Sequence, residues 1–235
     1  FDGVDSGLDS LFDFPLLFAM RRAFAEGKPV REVAQILAQD QLYTNPDVLV
    51  TLAANHDVQR FMNEPGATVA GLNLAHTLIM TTRGTPQIYY GDEIAIAGGP
   101  DPDNRRDFPG GFPGDRRDAF TAGARTPDER KAYDHFRKLA EIRREHEPLR
   151  RGALVNLLAA EQQYAYARAS DRGAVVVVIN NENKTSTVEF DVANAGIAAG
   201  ATFRDSLGAA ADATVTGRRL RVTLPARSSA VFVRR

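Results

Sequence analysis

Asn55, His56 and Asp57 are the residues of this chain whose types and spacing most clearly allow chemistry. They come directly after the apolar run at 48–52 (Val-Leu-Val-Thr-Leu), which is typical of a buried strand. A carboxylate and an imidazole therefore stand where a predicted strand gives way to a loop. Because the loops after the carboxyl ends of parallel strands form the site in barrel-shaped α/β proteins, we interpret these residues as part of an active site.

The composition excludes several kinds of partner and chemistry. The 235 residues include 29 Lys and Arg against 30 Asp and Glu, and a net charge of −1 favours no nucleic-acid partner. The chain has no Cys and only four His, far apart in sequence, so no thiol nucleophile, metal site or cofactor is expected. No apolar stretch approaches the ~18 residues that span a bilayer, so we predict no membrane partner.

The opening residues Phe1 to Ser6 lack the basic and apolar regions of a signal peptide, and we expect the chain to begin mid-protein. Without Cys, redox chemistry gives no information on the compartment. A bacterial cytoplasmic, periplasmic or secreted location stays open.

Strands and helices alternate over roughly the first 95 residues. The spacing of apolar residues predicts strands at 8–13, 48–52 and 87–90, and helices opening at Pro15, over 30–37 and around 72–79. This order, with connections long enough for crossovers, favours a parallel sheet with covered faces. The predicted fold class of this part is therefore α/β.

A long Gly-, Pro-, Asp- and Arg-rich segment at 98–125 lacks periodicity and is predicted to be a loop. Thr126 and Glu129 form the sequence pattern of a capping box, which predicts a helix that continues toward Pro148. After Gly152 the pattern changes to strands, predicted at 164–168, 175–179, 187–190, 220–224 and 230–233. Short strands separated by turn clusters indicate a small antiparallel β-sandwich domain.

Together, Asn55-His56-Asp57 and the later run at 84–93 (Gly-Thr-Pro-Gln-Ile-Tyr-Tyr-Gly-Asp-Glu) resemble the α-amylase family of glycoside hydrolases. The run at 101–111 (Asp-Pro-Asp-Asn-Arg-Arg-Asp-Phe-Pro-Gly-Gly) resembles its neopullulanase and cyclomaltodextrinase branch. The resemblance implies that residues 1–150 are the C-terminal portion of a (β/α)₈ TIM barrel, about units six to eight. Residues 152–235 would be the C-terminal all-β domain.

The same resemblance implies roles for five residues. Asp57 would be the catalytic carboxylate that stabilises the transition state of retaining hydrolysis, and His56 and Asn55 would bind the adjacent sugar. Asp101 and Arg105 would hold a glucose unit further from the scissile bond, because a carboxylate paired with Arg suits vicinal hydroxyls. The substrate would be an α-1,4-glucan or a cyclodextrin.

The family's nucleophile and general acid have no counterpart in this chain, so we expect a fragment of a hydrolase that is inactive alone. Arg60 is interpreted as a charge partner within its loop, and Asp92 and Glu93 as residues that fix their loop. A non-catalytic carbohydrate-binding or interaction protein derived from an amylase fold is the alternative, and a regulatory homologue that lost its acids is a third. Glucan length, and hydrolysis against transglycosylation, stay open.

A partial barrel also predicts a partner for its sheet. Parallel strands at an open edge carry unpaired backbone groups and apolar flanks, which favour pairing with another chain. We therefore expect either the missing N-terminal half of the barrel or self-association to cover this edge.

Overall fold

The computed structural model describes residues 8–235, and the predicted start of the barrel portion at 1–7 lies outside the described residues. The helices are α1 (Phe14–Phe24), α2 (Arg31–Leu37), α3 (Val69–Thr81), α4 (Pro127–Glu145) and α5 (Pro148–Arg151). The strands are β1 (Val50–Thr51), β2 (Thr85–Pro86), β3 (Ala153–Ala159), β4 (Gln163–Ser170), β5 (Gly173–Asn180), β6 (Ser186–Asp191), β7 (Thr202–Asp205), β8 (Ala213–Thr214), β9 (Arg219–Leu224) and β10 (Ser228–Arg234).

Three parallel backbone segments carry the loops of interest. Phe12 forms a parallel bridge with Val50, and β1 pairs in parallel with β2. The Gln87 amide extends this ladder by donating to the Thr51 carbonyl over 2.8 Å. The predicted parallel arrangement is confirmed, although each strand is shorter than the sequence pattern suggests.

Local turns shorten the predicted strands. A 3₁₀ turn at Pro46–Val48, capped by the side chain of Asn45, occupies the start of the strand predicted at 48–52. The strand predicted at 87–90 is wrong: β2 lies just before it at Thr85–Pro86, and the ladder ends with the Gln87 amide. Beyond it, the Tyr90 carbonyl accepts a hydrogen bond from Arg60 and Gly91 turns the chain with a φ of 88°. Of the strand predicted at 8–13, the structure has only the bridge at Phe12.

The predicted helices are present, and their ends follow from capping. The Asp13 carboxylate accepts the Leu16 amide over 3.0 Å at the start of α1. The predicted capping box at α4 is confirmed, because the Thr126 hydroxyl accepts the Glu129 amide and the Glu129 carboxylate accepts the Thr126 amide. Such caps satisfy the backbone amides that a first helical turn leaves unpaired.

The predicted β-sandwich is formed by two antiparallel sheets. The larger has the order β3-β4-β5-β10-β7-β8, and the smaller pairs β6 with β9. Their facing side chains form one hydrophobic core, which includes Val176, Phe232 and Val222. β3, β7 and β8 are additional to the strands that the sequence predicted.

The other face of the larger sheet packs on the helices. Tyr164 and Val177 of that face share a core with α1, α2, α3 and α4. Arg168, fully buried on β4, donates to the carbonyl of Thr82 at the end of α3 and to that of Gly152. The β-sandwich therefore supports the helices that lie behind the parallel strands.

One edge of the parallel segments is apolar and open. Among the described residues, the Leu11–Phe12 segment pairs only with β1, and the Phe12 side chain is 50% exposed. Leu42 and Val48, on the segment that leads into β1, are also exposed. No helix of residues 8–235 is both long enough and apolar enough to cross a membrane.

Candidate carbohydrate site

Asn55 fixes the loop that follows β1. It is buried, its side-chain oxygen accepts the Asp57 amide over 2.9 Å, and its side-chain nitrogen donates to Asp57 Oδ2 over 3.2 Å. Asn favours such turns because its side chain binds the backbone two residues further on. The Asp57 carboxylate is thereby oriented by a residue that itself cannot move freely.

His56 and Asp57 present their polar atoms to solvent. His56 Nε2 lies 3.2 Å from Asp57 Oδ1, and each side chain is 60% exposed. A carboxylate accepts hydrogen bonds, and an imidazole can both donate and accept them. The pair can therefore bind two neighbouring hydroxyl groups of one ligand.

Asp101 and Arg105 form a second exposed pair on the loop that follows β2. Arg105 Nε donates to Asp101 Oδ1 over 2.7 Å, and the side chains are 50% and 63% exposed respectively. Between them, Asp103 accepts the Gly99 amide and Arg106 Nε, each over 2.6 Å. These two hydrogen bonds lower the pKa of Asp103 below its ordinary value, which keeps it charged and the turn closed.

Asn104 joins the two loops. It is 1% exposed, and its side-chain nitrogen donates to the carbonyls of His56 and Val58, each over 2.9 Å. Within residues 8–235, no direct hydrogen bond links Asp57 to Arg105. The contact through Asn104 brings their two loops to the same edge of the sheet.

Arg60 joins the loop after β1 to two segments that follow β2, around Tyr90 and Asn104. Its side chain is fully buried, with Nε donating to the Asn104 carbonyl over 2.9 Å and Nη1 donating to the Tyr90 carbonyl over 2.7 Å. Nη1 also lies 3.3 Å from Asp92 Oδ1, so Arg60 is a charge partner as interpreted, but of a carboxylate on the segment after β2 and not within its own loop. The guanidinium lies over the rings of Tyr89 and Tyr90, 4.4 and 4.8 Å from their centroids.

Burial governs the protonation of Asp92. Loss of solvent raises the pKa of this carboxyl to about 7, and the charge of Arg60 opposes that rise while the charge of Glu93 adds to it. The desolvation cost exceeds the attraction of one buried cation. Asp92 therefore lies at the base of the site as a structural carboxyl, consistent with its interpretation as a loop-fixing residue.

The charge of Arg105 acts on the phenol of Tyr89. Burial, together with a hydrogen bond and coulombic repulsion from Tyr90, raises the pKa of Tyr89, and the charges of Arg60 and Arg105 oppose this rise. Tyr89 thus stays a neutral phenol near the exposed Asp101–Arg105 pair.

Asn104 was not among the five residues that the sequence analysis assigned to the site, because only the folded loops reveal which carbonyls it binds.

The exposed groups of this edge can donate hydrogen bonds to hydroxyl groups and accept them. Its exposed groups are carboxylates, an imidazole and a guanidinium, and none of them needs a metal to bind a polyol. No group of three or more His, Asp or Glu within residues 8–235 could hold a metal ion.

Comparison with known proteins shows which enzymes the chain is similar to. Residues 9–107 match the model of the alpha-amylase catalytic domain. Cyclomaltodextrinase of Thermoanaerobacter pseudethanolicus is 29% identical over 184 residues, covering 77% of this chain and 30% of the relative. Neopullulanase 2 of Thermoactinomyces vulgaris is 31% identical over 205 residues, covering 85% of this chain and 32% of the relative. An α-amylase from Anoxybacillus has the same fold, with a TM-score of 0.80 at 26% identity over 97% of this chain and 47% of that structure.

Residues 9–107 match the alpha-amylase catalytic domain, and the chain is similar over most of its length to enzymes of the α-amylase family. Its relatives include enzymes named as a cyclomaltodextrinase and a neopullulanase, the branch that the 101–111 run resembles. The chain spans about a third of the length of these curated relatives and about half of the solved α-amylase.

Proposed function

We propose that this chain supplies the sugar-binding side of a retaining glycoside hydrolase that acts on α-1,4-glucans or cyclodextrins. The observation that carries the proposal is the contact of Asn104 with the His56 and Val58 carbonyls, which holds both exposed charged pairs on one edge. A site that must bind successive sugar rings needs such a fixed spacing between its polar groups.

In the proposed mechanism Asp57 accepts hydrogen bonds from sugar hydroxyls. These bonds strengthen as the ring flattens toward the oxocarbenium-like transition state, so Asp57 lowers the barrier more than it tightens substrate binding. Asn55 holds the carboxylate in place, and His56 binds a neighbouring hydroxyl. The Asp101–Arg105 pair binds another glucose unit without taking part in bond cleavage.

The domain assignment forms part of the proposal. We assign residues 1–150 to the C-terminal portion of a (β/α)₈ barrel and residues 152–235 to an all-β domain. The three parallel segments, the open edge at Phe12 and the coverage of about half of a solved α-amylase support this assignment. The nucleophile and the general acid would then come from the other half of the barrel. Either that half or a second copy of this chain would cover the open edge.

The test uses the product of the complete gene and compares Asp57→Asn with the matched control Asp134→Asn. Asp134 is an exposed carboxylate on α4, remote in sequence from both loops. Asp57→Asn should lower kcat by about 100-fold or more, the scale of losing one group that binds the transition state, with KM little changed. Asp134→Asn should leave both constants unchanged. Equal rates for Asp57→Asn and the unsubstituted enzyme would overturn the role of Asp57.

A non-catalytic carbohydrate-binding role is the second candidate, and the exposure of the His56, Asp57, Asp101 and Arg105 side chains favours it. Groups that are at least half exposed can bind a sugar without excluding water from it. Binding of maltoheptaose by the complete gene product without any cleavage would support this candidate. Cleavage would support the hydrolase.

A further inference from the structure

We propose that Phe120 is a stacking platform for a sugar ring of the glucan, on the loop that continues from the Asp101–Arg105 pair. This inference rests on the proposed function and extends it to a further contact with substrate. The Phe120 side chain is 63% exposed, and it lies on the loop that starts after β2.

The ring of Phe120 packs against Phe108 and lies close to Gly111. Its centroid lies 4.4 Å from that of Phe108, at an interplanar angle of 35°. Gly111 lies beside it, where an added Cβ would be 3.6 Å from the Phe120 ring. One face of Phe120 is therefore packed while most of the ring stays open to solvent.

The backbone around Phe120 is fixed by hydrogen bonds. The Phe120 amide donates to Asp118 Oδ1 over 3.0 Å, and its carbonyl accepts Arg125 Nη2 over 3.1 Å. The neighbouring Ala119 amide donates to the Pro109 carbonyl over 2.8 Å, which ties this segment to that of Phe108. A ring placed by such a backbone binds without a large ordering cost.

The loop also connects the ring to the proposed sugar site. Phe108 follows Arg105 by three residues, a chain distance of at most about 11 Å. The Tyr90 hydroxyl donates to the Arg106 carbonyl over 2.9 Å, so the start of this segment is anchored beside the buried Arg60. A glucan bound at Asp101 and Arg105 can therefore extend toward Phe120.

The aromatic character of the Phe120 ring favours a sugar ring as its ligand. An aromatic face carries a negative quadrupole, which attracts the weakly positive C–H groups of a pyranose face. Phe112, 58% exposed on the same loop, adds a second aromatic side chain. The geometry points to a glucose unit of an α-glucan as the ligand of this surface.

The test measures binding of β-cyclodextrin and of maltoheptaose by calorimetry, with the full chain carrying Phe120→Leu or Phe120→Tyr. Leu keeps an apolar side chain of similar size but has no ring face, and Tyr keeps the ring. Phe120→Leu should weaken binding by about 3- to 10-fold, the scale of one aromatic contact converted to affinity. Phe120→Tyr should bind within about twofold of the unsubstituted chain, on the same conversion.

Phe12→Leu, at the open sheet edge, is the matched control and should not change affinity. Equal affinities for Phe120→Leu and the unsubstituted chain would overturn the platform while leaving the proposed function intact. Equal weakening by Leu and Tyr, or by Phe12→Leu, would also overturn it, because the loss would not follow the ring face. Failure of the unsubstituted chain to bind either sugar would overturn the proposed function together with the platform.

Discussion

Replacement of Arg60 by Met should destabilise the protein more than most single substitutions. Met fills much of the same volume but donates no hydrogen bond. The change leaves the Asn104 and Tyr90 carbonyls without their donor and removes the cation beside Asp92. An unsatisfied buried carbonyl costs about 1–3 kcal/mol, and breaking a buried ion pair costs about 3–5 kcal/mol.

These two costs are not additive, because both partners belong to one network around Arg60. At pH 8, where Asp92 is mostly ionised, we expect the free energy of unfolding to fall by about 3–5 kcal/mol. At pH 5, Asp92 is protonated, since burial raises its pKa to about 7, and a neutral carboxyl needs no cation. The loss should then be about 1–3 kcal/mol, set mainly by the buried Asn104 carbonyl, because the Tyr90 carbonyl is only partly buried.

The direction of this pH effect follows from linkage. The folded carboxyl keeps a proton that the unfolded chain, with an ordinary Asp pKa of 3.8, has already released. The stability associated with Asp92 is therefore complete below pH 3.8 and is lost as the pH rises through about 7. Without Arg60 the folded pKa rises further, so the loss at alkaline pH becomes larger.

Urea unfolding followed by circular dichroism at both pH values measures the effect. Arg137→Met is the matched control, because Arg137 is 54% exposed and pairs with Glu141 on the surface of α4. A surface pair of this kind contributes less than about 1 kcal/mol. A loss for Arg60→Met that is below 1 kcal/mol at pH 8, or equal at the two pH values, would refute the reasoning.

Two further stability predictions test buried and capped positions. His76 is fully buried with both ring nitrogens unpaired among the described residues, and burial, aided by the charge of His135, lowers its pKa to about 3. Its folded form stays neutral while the unfolded form takes up a proton below pH 6.5. His76→Leu should therefore raise the free energy of unfolding at pH 5 by about 1–2 kcal/mol in urea unfolding. An unchanged free energy of unfolding at pH 5 would contradict this. Thr126→Ala removes the cap of α4 and should lower stability by about 1 kcal/mol in thermal unfolding, whereas Thr126→Ser should not.

The sequence predicted the helices well because their signals are local. Pro15 and the capping pair Thr126 and Glu129 act within one helical turn, and the structure has α1 and α4 at those positions. His76 is a core histidine, as its place on an apolar helix face suggests. Such features depend on residues three or four apart and need no tertiary contact.

Strand ends depended on contacts that the sequence does not display. The run at 87–90 has the composition of a strand, but the buried Arg60 binds the Tyr90 carbonyl and ends the ladder at Gln87. The β-sandwich was predicted as a class, while β3, β7 and β8 were not. β7 and β8 are only four and two residues long, which leaves little room for an alternating pattern to mark them.

The sequence by itself determined which chemistry this protein can offer, because the residue types at Asn55, His56, Asp57, Asp101 and Arg105 are fixed by the chain. Only the tertiary structure decided how those residues are held. Asn104 and Arg60 bind backbone carbonyls on loops 30 to 48 residues away, and carbonyls carry no sequence signal. A backbone group becomes a partner only after folding has buried it and left it in need of a donor.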